Sequence, residues 1–181
     1  MATADKACKF AIMRLLNCEA RLKAAPFSRW LPLPGVYVIA CSRERLTDKP
    51  FALRPDIIYI GMTNSVGGLR SRLKQFDNTI AGRTGHGGAD RVRYKFRNYE
   101  PLAMRLYVAV GAFNCDVTSA SPANLRIMGD VARWEYYCLA DFAEHFNRLP
   151  TFNDKKSAPK FSHTVGRSMR TRSRVSSPRK R

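Results

Sequence analysis

The chain contains no run approaching the roughly twenty consecutive apolar residues that a helix needs to cross a bilayer. Its start, MATADKACKFAIMRLLNC, lacks a long apolar stretch bounded by a cleavage signal, so a soluble intracellular protein without membrane attachment is expected. Cysteine is sparse and shows no pairing pattern: Cys8, Cys18, Cys41, Cys115 and Cys138 form no CxxC, and an odd count fits poorly with a closed disulfide framework. Beside them stand three histidines, His86, His145 and His163, with no zinc-ligand spacing. A reducing compartment is expected, and structural zinc is not.

Acid is the other shortage. The 14 Asp and Glu face 32 Lys and Arg, giving a formal charge of +18 and a pI near 10.3. A polyanion is the natural partner, and nucleic acid is favoured over a membrane surface because the basic residues spread along the chain rather than along one amphipathic helix. Ten Lys and Arg and no acid fall in residues 155–181, which therefore carry +10 of the +18. That segment has no apolar periodicity and is expected to be disordered when free, raising affinity for phosphates by counterion release.

What remains is enough for one folded domain: 181 residues, 45% hydrophobic and 10% aromatic, with no internal repeat. Over residues 7–25, Phe10, Met13, Leu16, Ala20 and Ala24 recur at helical spacing, predicting a docked N-terminal helix. Proline then punctuates LPLPG, which reads as an extended approach. GVYVIAC (Gly35–Cys41) and DIIYIG (56–61) are short β-branched and aromatic runs, read as a hairpin with a long connection, and 104–113 is a third strand. From Gly67, Leu69, Leu73, Phe76 and Ile80 mark a helix, and a second covers 130–146 with Asp130 as its cap. TGHGGAD (84–90) is a Gly-rich turn, and 91–99 fits either a helix or a strand.

The chemistry lies in an ordered set: Gly35-Val36-Tyr37, then Tyr59-Ile60-Gly61, then Leu69 to Leu73 (LRSRL), then Glu135 on a helix, then Pro150 to Asn153 (PTFN). In this order it resembles the GIY-YIG nuclease family across about residues 33–154. The resemblance implies that Tyr37 and Tyr59 share one pocket, with Tyr37 helping to remove a proton from the attacking water and Tyr59 positioning that water or the phosphate. It also implies that Asn153 completes the site and that Arg72, which directly precedes Leu73, is the catalytic arginine. An arginine fork holds a phosphate and stabilises the charge developing on its oxygens. Two departures leave the subfamily open: Met62 stands where repair relatives often carry lysine, and Phe76 where several homing and restriction relatives carry histidine.

Glu135 stands out independently of the resemblance. Val131, Trp134, Cys138, Phe142 and Phe146 form one apolar helix face, and Glu135 falls inside it. A carboxylate there needs a cation, either a metal ion or an arginine such as Arg72. With the motif, a hard divalent ion is expected, Mg²⁺ first and Mn²⁺ second. Arg70 and Lys74 are read as contacts to more distant phosphates. His86, in its Gly-rich loop, is either exposed or a phosphate contact or proton shuttle. His145 reads as a partly buried structural residue.

The expected architecture is an α/β fold: a small, mainly antiparallel three-stranded sheet covered by helices, with an N-terminal helical extension (1–32), a nuclease-like domain (33–154) and a basic tail (155–181). The expected activity is metal-dependent hydrolysis of DNA, carried by Tyr37, Tyr59, Arg72, Glu135 and Asn153, with Glu135 as metal ligand and no organic cofactor. A homodimer would serve cleavage of both strands. The site of action would be the cytoplasm or nucleoid, or the nucleus of a eukaryote. The alternative is a binding module that kept the scaffold without the catalysis.

Overall fold

A computed structural model describes residues 5–6, 11–12 and 28–161, apart from 84 and 157. The elements are β1 (Asp5–Lys6), β2 (Ala11–Ile12), β3 (Gly35–Cys41), β4 (Ile57–Thr63), α1 (Gly68–Ile80), α2 (Gly87–Phe96), α3 (Tyr99–Ala103), β5 (Leu106–Ala112) and α4 (Pro122–Phe146). The fold is α/β, with a small antiparallel sheet flanked by helices, as the sequence predicts. Its three long strands lie in the order β5-β3-β4, and β1 and β2 both pair with the free side of β5. No helix among the described residues is long and apolar enough to cross a membrane.

Because side chains alternate along a strand, the central strand β3 feeds two cores. Tyr37 and Ile39 point to one face, where Leu69, Leu73, Phe76 and Ile80 of α1 and Ala89 and Val92 of α2 cover them. Val36, Val38 and Ala40 point to the other, under Val131 and Phe142 of α4. The continuous apolar run of β3 is what a strand buried on both sides requires.

A bulge in the β3–β4 ladder sets the parity of β4. Ile39 lies opposite Tyr59 and Ala40 opposite Ile57, leaving Ile58 as the extra residue. Ile57 and Ile60 consequently fill the α4 core, whereas Ile58 and Tyr59 both serve the α1 face. Without the extra residue, Ile57 and Tyr59 would point the same way.

Several expectations change here. The helix over 7–25 does not run through Ala11–Ile12, which pair with Val108 and Tyr107. The open edge of β5 offers main-chain groups that these residues satisfy, and the rest of that helix lies outside the described residues. The Pro-punctuated approach turns at 31–33 rather than running extended. The carbonyls of Leu31 and Leu33 accept the N–H groups of Arg70 and Leu69, capping the start of α1. Gly68, with φ +56°, makes that approach possible, since a β-carbon there would lie 2.3 Å from the Pro32 carbonyl oxygen. α4 begins eight residues before the expected cap, with Ser121 accepting the Asn124 N–H and Pro122 at the first turn, so Asp130 is interior. His145 is exposed, edge-on to Phe146.

The start of the basic tail is part of the domain rather than free chain. Ala158 is buried, its carbonyl accepts from Arg91 Nε at 2.8 Å, and Arg93 lies over the Phe161 ring. Residues 162–181, where most of the tail falls, lie outside the described residues.

Candidate active site

Tyr37 and Tyr59 are diagonal neighbours on one face of the sheet, 6.0 Å apart by ring centroids. Between them lies Gly61, directly opposite Tyr37. A β-carbon at Gly61 would lie 2.6 Å from the Tyr37 hydroxyl oxygen and 2.8 Å from a Tyr59 ring carbon, so the glycine of the YIG tripeptide makes room for both rings. Gly88, at the start of α2, supports Tyr59 from the other side, and a β-carbon there would meet the ring at 2.4 Å.

Phe76 and His86 complete the cluster. Phe76 packs on Tyr59 at 5.7 Å and on His86 at 4.9 Å. His86 is buried, contrary to the exposed alternative. It caps α2, with Nδ1 accepting the Ala89 N–H at 3.1 Å, and its Nε2 lies 2.7 Å from the Tyr37 hydroxyl. The position one turn after Arg72 is thus apolar, and an imidazole reaches Tyr37 from the N-cap of α2 instead. Burial, reinforced by Arg72, pushes His86 down to about 3, so the ring is neutral.

Arg72 joins the tyrosines to the carboxylate. Burial pushes Tyr37 well above the ordinary tyrosine value, Tyr59 adds to the rise, and the Arg72 guanidinium opposes it by charge and hydrogen bond. Burial also raises Tyr59, with Arg72 opposing and Glu135 reinforcing the rise. One terminal nitrogen of Arg72 donates to Gln75 at 2.8 Å, whereas its buried Nε has no hydrogen-bond partner among the described residues. A buried donor left open is costly unless a ligand completes it, and an anionic oxygen is the natural ligand of a guanidinium. Arg70 and Lys74 are exposed on the same helix.

Glu135 reaches the site from the opposite layer, around the edge of β4. Burial raises its carboxyl, and Arg72, the neighbouring Met62 N–H and Lys155 draw it back. The outer edge of β4 is closed by three groups in succession. Ile58 O accepts the Phe152 N–H at 2.9 Å. Asn153 receives the Ile60 N–H on Oδ1 at 2.8 Å and donates Nδ2 to Ile60 O at 2.7 Å, and the Met62 N–H lies by the Glu135 carboxylate and lowers it. Asn153 is therefore fully engaged as a substitute strand, next to the carboxylate but not turned towards it. Tyr37, Tyr59, Arg72, Glu135 and His86 come together; Asn153 supports them from the edge.

The donor set fits a hard divalent ion. Among the described residues no ion pair closes on Glu135, and no three His, Cys, Asp or Glu side chains gather around it. A single carboxylate near a guanidinium with an open buried donor is a donor set that suits Mg²⁺, which keeps several waters and takes its remaining ligands from a bound anion such as phosphate. Sequence reasoning did not foresee the contact of His86 with Tyr37 or the role of Gly88. The legible signal was the His-Gly-Gly run before a helical stretch, in which a small residue and an N-cap stand together. Compared with family models, curated proteins and solved structures, the chain matches none.

Proposed function

We propose that the chain is a metal-dependent endonuclease that hydrolyses phosphodiester bonds in DNA. The observation that carries this reading is Arg72: one guanidinium acts on both tyrosines and on Glu135, and its buried Nε has no hydrogen-bond partner among the described residues. The order of motifs, which resembles that of GIY-YIG nucleases, supports the reading, as does the net charge of +18. Arg72 would bind the scissile phosphate and stabilise the charge that grows on its oxygens. Glu135 would hold the divalent ion, which when bound supplies further positive charge to the phosphate. The tyrosine pair would orient the attacking water and take its proton. Arg70 and Lys74, exposed one helical turn apart, would meet flanking phosphates.

The deciding experiment is incubation of the purified chain with supercoiled plasmid and with single-stranded DNA, with and without Mg²⁺. Nicked or linear product that depends on Mg²⁺ is expected. Tight binding without any product would point instead to a module that kept the scaffold and lost the chemistry.

A further inference from the structure

α4 has two unlike faces. Its inner face packs Val131 and Phe142 on the sheet, whereas its outer face, read at helical spacing, runs Arg126, Gly129, Arg133, Tyr136 with Tyr137, Ala140 and Glu144, all exposed. Tyr136 is 71% and Tyr137 54% exposed, although tyrosine is a residue that interfaces enrich and cover. Gly129 has no packing role within the chain, since a β-carbon there would meet nothing within 4 Å beyond its own turns of helix. Glycine is also the poorest helix former after proline. A bare backbone in mid-helix is what the close approach of another chain requires.

We infer that this face is the interface of a homodimer, in which α4 packs antiparallel on α4 of a second copy across a two-fold axis. Charge selects the occupant. In a chain of net charge +18, α4 carries four acids, Asp130, Glu135, Asp141 and Glu144, against two bases, Arg126 and Arg133. Such a helix repels a polyanion and suits a second copy of itself, because its signs are ordered along the outer face. Arg126 stands at one end and Glu144 at the other, and no ion pair among the described residues holds either, whereas Arg133 is already held by Asp130. Arg126 and Glu144 lie nine residues either side of position 135, Gly129 and Ala140 six and five, and Arg133 and Tyr137 two. Antiparallel pairing about that position brings Arg126 of each copy to Glu144 of the other, sets the small residues Gly129 and Ala140 against each other, and lays Arg133 by the Tyr137 ring. Parallel pairing would instead set like charges together. The interface needs neither DNA nor cleavage, so it stands or falls apart from the proposed activity.

The test is sedimentation velocity of the full chain, freed of nucleic acid, from about 1 μM to about 100 μM, the range of a weak self-association. Monomer at the low end and dimer at the high end is expected. Arg126→Glu and Glu144→Arg each give their end of the helix a charge that its dipole favours, so both should keep the wild-type circular dichroism. Each should nevertheless weaken the dimer by about tenfold or more, because a two-fold interface contains the altered contact twice. Mixing the two single variants should restore association, since in the mixed dimer both end contacts again join opposite charges. Arg126 and Glu144 are about 27 Å apart along one helix, so no contact within a copy can produce that rescue. Gly129→Gln should unfold no earlier than wild type at the low concentration, yet weaken the dimer to a similar degree. A chain that stays monomeric throughout overturns the inference, as does a dimer that the single variants leave intact or that their mixture fails to restore.

Discussion

Replacing Gly88 with alanine adds one methyl group at the most crowded point of the site. Its carbon would lie 2.4, 2.6 and 2.9 Å from three carbons of the Tyr59 ring, all well inside ordinary van der Waals contact. Relief requires the ring or the start of α2 to move by about 1 Å, and overpacking of this kind costs about 1–3 kcal/mol. Alanine gives back at most about 1 kcal/mol of helix propensity, so a net loss of roughly 1 kcal/mol is expected. For a chain of this size that lowers Tm by about 2–4 °C. The rate should fall much further, since a 1 Å misplacement of a reacting group costs about 10²-fold. Gly87→Ala is the internal comparison, because its nearest neighbours are the terminal atoms of Lys160 at 3.5 Å and nothing needs to move. Thermal unfolding and single-turnover cleavage of the two variants should therefore diverge, and in a Tyr59→Ala background the Gly88→Ala penalty should vanish. If Gly88→Ala unfolds and cleaves like Gly87→Ala, the glycine is not what seats Tyr59.

Glu135→Ala should abolish Mg²⁺-dependent cleavage while leaving circular dichroism and most DNA affinity intact, and an unchanged rate across a Mg²⁺ titration would refute the metal assignment. Arg72→Ala should cost about 10²–10³-fold in turnover and more than Arg70→Ala; the reverse order would show that Arg70 is the phosphate ligand. Asn153→Ala strips two partners from the Ile60 main chain and should cost about 2–4 kcal/mol in urea unfolding, a loss below 1 kcal/mol being incompatible with its edge role. His86 is held at about 3, below its ordinary value of 6.5, so the folded chain binds fewer protons than the unfolded one. Its contribution is complete above pH 6.5 and is lost as pH falls towards 3. Between pH 6.5 and 4 the urea midpoint of the wild type should thus drop more steeply than that of His86→Asn, and parallel curves would show that the ring is already charged.

The parts of this fold that declared themselves in sequence are those whose signal is local. β3, β4 and β5 are short β-branched runs, and the apolar wheel around Glu135 holds, with Val131 and Phe142 buried and Trp134 and Cys138 packed beside them. The early turns of α4 were concealed by Gly129, which reads as a boundary but sits exposed within the helix. Ser121 and Pro122, a cap followed by the residue favoured at the first position, were the better signal. His86 and Asn153 could not be placed from their surroundings because their partners lie 49 and 93 positions away. The bulge at Ile58 was equally hidden, since nothing in DIIYIG distinguishes an extra residue from an alternating one.

The closure of β4 by groups from the far end of the chain has a consequence for synthesis. During translation, the strand that carries Tyr59 leaves the ribosome with its outer edge open, and the partners of Ile58, Ile60 and Met62 follow only with Glu135, Phe152 and Asn153. Until then the Arg72 guanidinium lacks the Glu135 carboxylate whose charge it opposes in the folded chain. On the proposed function, a nascent or prematurely terminated product would carry the basic residues for a polyanion without the group that would hold the metal. Competence would then arrive in one late event, when the last helix docks; truncated products would bind without cutting, and they would expose a strand edge open to aggregation or degradation.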